Sequence, residues 1–249
     1  MSVLGVNMSL SEKQILDMKL ILVFALVIFL YISTSVRNDK RYLLANEVTF
    51  KNIEQPLITE EVVNKLLIQN KGSVKNIKKV ALALNSIESV LDANPYVRNS
   101  EVYVSVNGEV GVDVIQKTPL ARVQTKESYY IDEEGKKMPT SPNFAVRVPL
   151  VSGDGVESNL NNMFKLLKSI DSDSFYKKEI VEIIVSKKGK YKLLLREFDL
   201  FIDFGTTENI ELKLNNFKAF YKKATKDKTI NKYKYVNLQI ASQVICTKI

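Results

Sequence analysis

Residues 94–123 read NPYVRNSEVYVSVNGEVGVDVIQKTPLARV, and this stretch decides how the chain is divided. Asn94-Pro95 stops the segment before it, because proline lacks a backbone donor and turns its predecessor away from the helical region. Val102, Val104 and Val106 then alternate with Glu101, Tyr103 and Ser105. After Asn107-Gly108 the alternation resumes through Val110, Val112 and Val114. Period-two patterning on both sides of Asn-Gly predicts a β-hairpin, since a type I′ turn needs φ > 0 at both central positions. Any β-rich domain can hold such a hairpin, so its meaning comes from what flanks it.

Upstream, residues 46–53 with Val48, Phe50 and Ile53 read as a short strand that Pro56 ends. Thr59-Glu60-Glu61 opens a helix reaching about residue 70, with a capping hydroxyl and two carboxylates at the positive end of the dipole. Val62, Val63, Leu66 and Leu67 form its apolar stripe. The basic stretch 71–79 connects to a second helix. There Asn85-Ser86-Ile87-Glu88 matches a capping box, and Ile87, Val90 and Leu91 face inward. The order is β-α-α-β-β, two one-faced helices that need a small sheet to cover.

Before this module, residues 20–32 (LILVFALVIFLYI) contain no polar group except the Tyr31 hydroxyl, and the apolar run extends through residue 36. Seventeen residues lie at the short edge of what spans a bilayer, and Lys19 can snorkel. An uncleaved single-pass anchor is the favoured reading. A cleaved signal peptide, with Ser33 and Ser35 small enough for a cleavage site, is the alternative. Lys13 and Lys19 precede the span while Arg37, Lys40 and Arg41 follow it, so charge leaves the orientation open.

After the hairpin, residues 121–151 read as strands and turns. Tyr129-Tyr130-Ile131 leads into the turn Asp132-Glu133-Glu134-Gly135, taken as solvated charge, and residues 147–151 form a short strand. A helix over 159–170 carries Leu160, Met163, Phe164 and Leu167 on one face. Strands follow at 180–185, 191–195 and 200–204. A helix over 209–224 has Ile210, Leu214, Phe217 and Tyr221 inward and Lys213, Lys218, Lys222 and Lys223 on its other faces. The basic run continues through Lys226, Lys228, Lys232 and Lys234; a solvated face is the bland reading, and a patch for anionic headgroups or an acidic partner the sharper one. Strands at 235–240 and 243–247 close the chain. The fold class is therefore α+β: an N-terminal transmembrane helix, a βααββ module, and a mixed β-sheet domain with flanking helices.

The 249 residues carry no His, no Trp and the single Cys246, which removes most metal sites, His-based triads and any intramolecular disulfide. A formal charge of +8 raises nucleic acid as a partner, but the lysines are spread along the chain and a membrane segment precedes them. Asp171, Asp173 and Glu179 do not follow a calcium-loop pattern, and Gly153-Asp154-Gly155 lacks the Lys-Ser/Thr of a phosphate cradle. Cys246 alternates with Val244, as a buried inert thiol would. No catalytic residue, metal or cofactor is expected, and neither nucleic acid nor a small-molecule substrate.

The series of motifs resembles the FtsQ/DivIB cell-division family. Leu91 to Val97 (LDANPYV) resembles its Leu-x-x-x-Pro-aromatic-Val helix end, and Gln116 to Ala121 (QKTPLA) its Glu-Arg-x-Pro-x-Ala segment. Tyr130 to Gly135 (YIDEEG) resembles Leu-Ile-Asp-x-x-Gly, and Val148 to Gly153 (VPLVSG) resembles Leu-Pro-x-Leu-x-Gly. Gly205, Lys213-Leu214 and Tyr235-Val236-Asn237-Leu238 are similar to its final strand–helix–strand, with Asn237 where Asp is usual. KLLIQN at 65–70 and YYIDEEG at 129–135 are most similar to the Bacteroidetes branch.

The resemblance implies a cytoplasmic tail at 1–19, an anchor at 20–36, a linker at 37–43, a POTRA domain at 44–117 and a β domain at 118–249. It implies an inner-membrane, single-pass protein at the division septum, N-terminus inside and both domains periplasmic. Its implied function is a bitopic divisome scaffold that links early and late division proteins and controls septum formation by protein–protein contact. FtsB- and FtsL-like coiled-coil proteins are the implied partners, with FtsK, FtsW or FtsI types beside them. A partner segment is expected to add to an exposed strand at the chain's end. Val236, Asn237, Leu238, Gln239, Ile240, Ala241, Ser242 and Gln243, continuing to Val244, are the expected edge. Lys213, Lys218 and Lys222 on the neighbouring helix are expected to steer association, and Gln239→Pro is expected to break capture. The alternative is a single-POTRA assembly or secretion factor, or a secreted interaction domain with a cleaved leader.

Overall fold

The computed structural model describes residues 10–39, 46–50, 56–71, 84–105 and 110–248. The Asn107-Gly108 turn, Val106, Ile53 and the basic connection 72–79 lie outside them. The chain forms two units. The first comprises Met1–Thr49, Glu61–Leu91 and Glu101–Asp113, the second Phe50–Glu60, Asp92–Ser100 and Val114–Ile249.

In the first unit, α1 (Leu10–Asp39) runs well past the apolar core read from sequence, and its segment Gln14–Ser35 has a mean hydropathy of 2.6 with none of it buried. The βααββ order is present as β1 (Asn46–Phe50), α2 (Glu60–Lys71), α3 (Leu84–Asp92), β2 (Val97–Val104) and β3 (Val110–Gln116), with strands in the order β1-β3-β2. Val63, Leu67, Ile87, Leu91, Val102, Val110 and Val112 are buried; of the expected helical stripes, Leu66 and Val90 are half-buried and Val62 is exposed. Asn85 is not the cap of α3, since Leu84 already lies within the helix. The Glu88 carboxylate accepts the Val102 amide at 2.8 Å and so ties α3 to β2.

The second unit is built on one nine-stranded sheet. Its strands are β4 (Pro119–Gln124), β5 (Ser128–Asp132), β6 (Lys137–Pro139), β7 (Leu150–Ser152), β8 (Ile180–Val185), β9 (Tyr191–Leu195), β10 (Phe201–Gly205), β11 (Tyr233–Asn237) and β12 (Ile245–Lys248). Their order is β12-β11-β10-β9-β8-β7-β4-β5-β6. Register places Cys246, Val236, Ile202, Leu193, Ile183, Val151, Val123 and Tyr129 in one row across eight strands. This row belongs to the apolar core, on which α4 (Leu160–Asp171), α5 (Ser174–Glu179) and α6 (Ile210–Lys226) bury Met163, Leu167, Tyr176, Leu214 and Phe217. Burial raises the hydroxyl pKa of Tyr176, Tyr191 and Tyr221, the latter two to about 12.

Four expectations are corrected here. The strand read at 147–151 shrinks to β7, because Pro149 has no donor and the ladder to β4 starts only at Arg122↔Leu150. Asp132 is not solvated: it is fully buried, with Oδ1 accepting the amides of Glu134 (3.0 Å) and Lys136 (2.8 Å) and the Lys117 amine 3.5 Å from Oδ2. Sequence reasoning also passed over α5, whose Asp173 cap accepts the Phe175 amide at 2.9 Å. The closing strands stop at Asn237 and resume only at Ile245.

Gln116 is buried and its Oε1 accepts the amides of Leu57 (2.8 Å) and Ile58 (3.3 Å). Leu57 then joins Tyr130, Met138 and Val146 in a small cluster on the sheet's other face, with Tyr96 packed against it. The Tyr96 hydroxyl donates to Thr140 O at 3.0 Å.

Candidate interaction surface at the sheet edge

The sheet has two ends. At one, β6 terminates in Pro139, which offers no donor. The groove beside it, about 1020 Å³, has a lysine–carboxylate pair already closed: Lys137 Nζ is 2.6 Å from Glu157, which also accepts the Tyr129 hydroxyl at 2.7 Å. At the other end is β12, paired to β11 on one side and to nothing among the described residues on the other.

Which groups β12 presents follows from one hydrogen bond. Leu238 N–H donates to the Asp203 carbonyl at 2.8 Å, which turns the even-numbered residues at the end of β11 toward β10 and the odd-numbered ones toward β12. Tyr235↔Thr247 and Asn237↔Ile245 are then the hydrogen-bonded pairs, and the backbone N–H and C=O of Cys246 point outward; beyond Thr247 the register shifts and Lys248 pairs with Tyr233. Large apolar side chains gather at the same place. Among the described residues of the second unit, those exposed are Leu212, Tyr235, Ile240 and Ile245, three of them on the segment 235–245. Tyr235 stacks on Phe201, with ring centroids 5.6 Å apart, and carries the Lys234 amine 5.9 Å above its ring.

The residues expected to form the edge are placed differently from one another. Val236 and Leu238 are buried, and Val236 is paired on both sides within β11. Asn237 accepts the Gln239 amide on Oδ1 at 2.8 Å, an Asx turn that ends the strand. Gln239 is held by Asp203 (2.7 Å) and Lys190 (3.2 Å), so it lies in the connection and not in a ladder. Ile240, Ser242 and Gln243 are exposed; Ala241 O accepts the Asn216 amide of α6 at 2.8 Å, and Gln243 N–H closes on Ile240 O. The free edge is thus residues 245–248, just beyond the expected 236–244. An Asn two residues before Gln239 was the signal for the early stop.

The three lysines also separate. Lys213 is 2% exposed, and its amine donates to Phe204 O (3.1 Å) and Thr206 O (2.8 Å), so it does not lie on the solvent face assigned from sequence. Desolvation lowers its pKa. Lys218 is half-buried and paired with Asp173 at 2.6 Å, whereas Lys222 is exposed. Cys246 is partly buried, and desolvation raises its thiol pKa, the setting of an unreactive thiol. Among the described residues, no group of three or more His, Cys, Asp or Glu is arranged to hold a metal.

Residues 118–247, all within the second unit, match the family model described as FtsQ/DivIB, C-terminal related. The chain belongs to this family. Over 73 residues it is also 33% identical to the Cell division protein FtsQ of Myxococcus fulvus (strain ATCC BAA-855 / HW-1), a match covering 29% of this chain and 26% of that protein. The shared stretch thus spans about a quarter of that relative's length. Membership of the FtsQ/DivIB family implies a role in cell division. The apolar, unburied α1 is compatible with single-pass anchoring in a membrane.

Proposed function

We propose that the chain is a bitopic scaffold of the bacterial division machinery, linking early and late division proteins at the septum by protein contact alone. In this reading α1 spans the inner membrane with the N-terminus in the cytoplasm. Residues 44–117 are a POTRA domain and residues 118–249 a periplasmic β domain. The partners are FtsB- and FtsL-like coiled-coil proteins, with FtsK, FtsW or FtsI types joining the same assembly. What carries the reading is the outer edge of β12, which has no strand neighbour among the described residues and is flanked by exposed Tyr235, Ile240 and Ile245. A partner strand would pair with Cys246, while Ile240 to Gln243 and Lys222 form the rim, where charge changes on-rate more than affinity. Lys218 is committed to Asp173 and Lys213 is interior, so neither is assigned to the rim.

Proline at Cys246 tests this more directly than proline at Gln239, because it deletes an outward donor while the β11 ladder keeps its bonds. Cys246→Pro is expected to fold, judged by an unchanged circular-dichroism spectrum, and to lose co-purification of the FtsB–FtsL-like pair. Thr247→Ala, which keeps every backbone group, is expected to retain it. A folded Cys246→Pro variant that still captures the pair would sink the edge assignment. A fluorescent fusion spread evenly over the membrane, with no midcell enrichment, would sink the division reading itself.

A further inference from the structure

Six lysines stand exposed within thirteen residues at the end of α6 and the turn that follows: Lys222, Lys223, Lys226, Lys228, Lys232 and Lys234. Asp227 is the one acid among them, and none of the six is in an ion pair among the described residues. Lys222, Lys223 and Lys226 occupy one arc of the helix, opposite the buried Leu214, Phe217 and Tyr221. Lys223 and Lys226 lie in the last turn, where they complement the helix dipole. The dipole does not account for the other four. Lys228 has φ +55°, a left-handed position that glycine fills at a lower cost, so charge stands here against backbone preference.

We propose that this cluster is an electrostatic contact for the anionic phospholipid headgroups of the bilayer that α1 occupies. The inference rests on the anchoring of α1 but not on any partner at β12. Three observations favour lipid over an acidic protein segment or nucleic acid. All six cations are lysines, point charges that attract a diffuse anionic surface, and none is an arginine fitted for bidentate pairing with a carboxylate or phosphate. The pocket of about 180 Å³ that Lys234 borders is shared with Asp199 and otherwise lined by Phe198, Ile230, Asn231 and Tyr233, so it is not built to select one small anion. The chain is also tethered to a bilayer through the apolar Gln14–Ser35 segment, which raises the effective headgroup concentration enough for weak, screenable attraction to count.

The full chain, with Cys246→Ser and a fluorophore on Asn231→Cys, is reconstituted into vesicles of phosphatidylcholine alone or with phosphatidylglycerol. Both contain a headgroup-quencher lipid. Quenching is expected in the anionic vesicles only, and to disappear at high salt as the Debye length contracts. It should also be lost when Lys223→Glu, Lys226→Glu, Lys228→Glu and Lys232→Glu are combined, a variant that leaves Lys222 and β12 intact. Equal quenching in both vesicle types, or none in either, overturns the proposal. So does a four-lysine variant that keeps full anionic quenching but loses co-purified division partner, which would make the patch a protein contact. Displacement of the quenched signal by single-stranded DNA at equal charge, with no preference for lipid, would overturn it in favour of a general polyanion site. Flotation with the neutral vesicles reads insertion of α1 separately, so failure of the anchor and failure of the patch are distinguishable.

Discussion

Lys213 shows how far a residue's role can depart from its type. Helical spacing puts it on the flank of α6, yet its amine reaches inside to close two carbonyls that end β10 and lies 4.9 Å from the Phe204 ring centre. Lys213→Met keeps the length and removes the donor, leaving Phe204 O and Thr206 O without it. The expected loss is about 2 kcal/mol, measured by urea unfolding. Asp173 has the opposite character. The hydrogen bond from Lys218 and the Phe175 amide hold its carboxyl pKa below the ordinary value. A depressed acid contributes stability above its unfolded pKa and loses it as pH falls through the folded one. Unfolding midpoints of the native chain should therefore drop by an extra increment below about pH 4. Asp173→Asn should show no such increment, having lost about 1 kcal/mol of cap and pair already at neutral pH. Neither role could be read in sequence, because each depends on a partner brought close by tertiary packing, Phe204 and Thr206 for the lysine and Lys218, 45 residues away, for the aspartate.

At the scale of elements, periodicity carried most of the information. Val102, Val110, Val112 and Val114 of β2 and β3, Met163 and Leu167 of α4 and Leu214, Phe217 and Tyr221 of α6 are buried, with Val104, Leu160, Phe164 and Ile210 half-buried beside them, because a repeating apolar pattern sets one face inward. Short elements without a period escaped or shrank: β6 has three residues and α5 six, and of the strand read at 147–151 only Leu150 and Val151 lie in β7. Turns were legible where backbone chemistry is restrictive. Gly153-Asp154-Gly155 reads as a turn, and its reason is steric. A Cβ on Gly155 would lie 1.9 Å from Ser186 O, and Gly153 has φ +110° with Val185 O 2.3 Å from its would-be Cβ. Gly155→Ala should therefore force β7 and β8 apart and destabilise the protein by about 2–3 kcal/mol in thermal or chemical unfolding. A change below about 0.5 kcal/mol would show that the turn yields without cost.

For the whole molecule, sequence by itself determined the order of elements, the membrane-length apolar helix, the α+β class and the family series of motifs, since these rest on local pattern and covalent order. The stretch 94–123 is the clearest case: α3 ends at Asp92, just before Asn94-Pro95, and the valine ladders are β2 and β3, neighbours in one sheet. Only the tertiary structure decided which strand is last in the sheet. Residues 236–244 (VNLQIASQV) and 245–248 (ICTK) are about equally apolar. Long-range bonds from Asp203 and Asn216 draw Leu238 and Ala241 inward and leave β12 outside. An edge is defined by the absence of a neighbour, and no local pattern records which neighbour is missing. The same holds for Asp132, whose burial comes from the turn amides and Lys117 folding over it. Pattern fixes what each segment becomes; the pairing of distant segments fixes which backbone and side-chain groups remain free to bind.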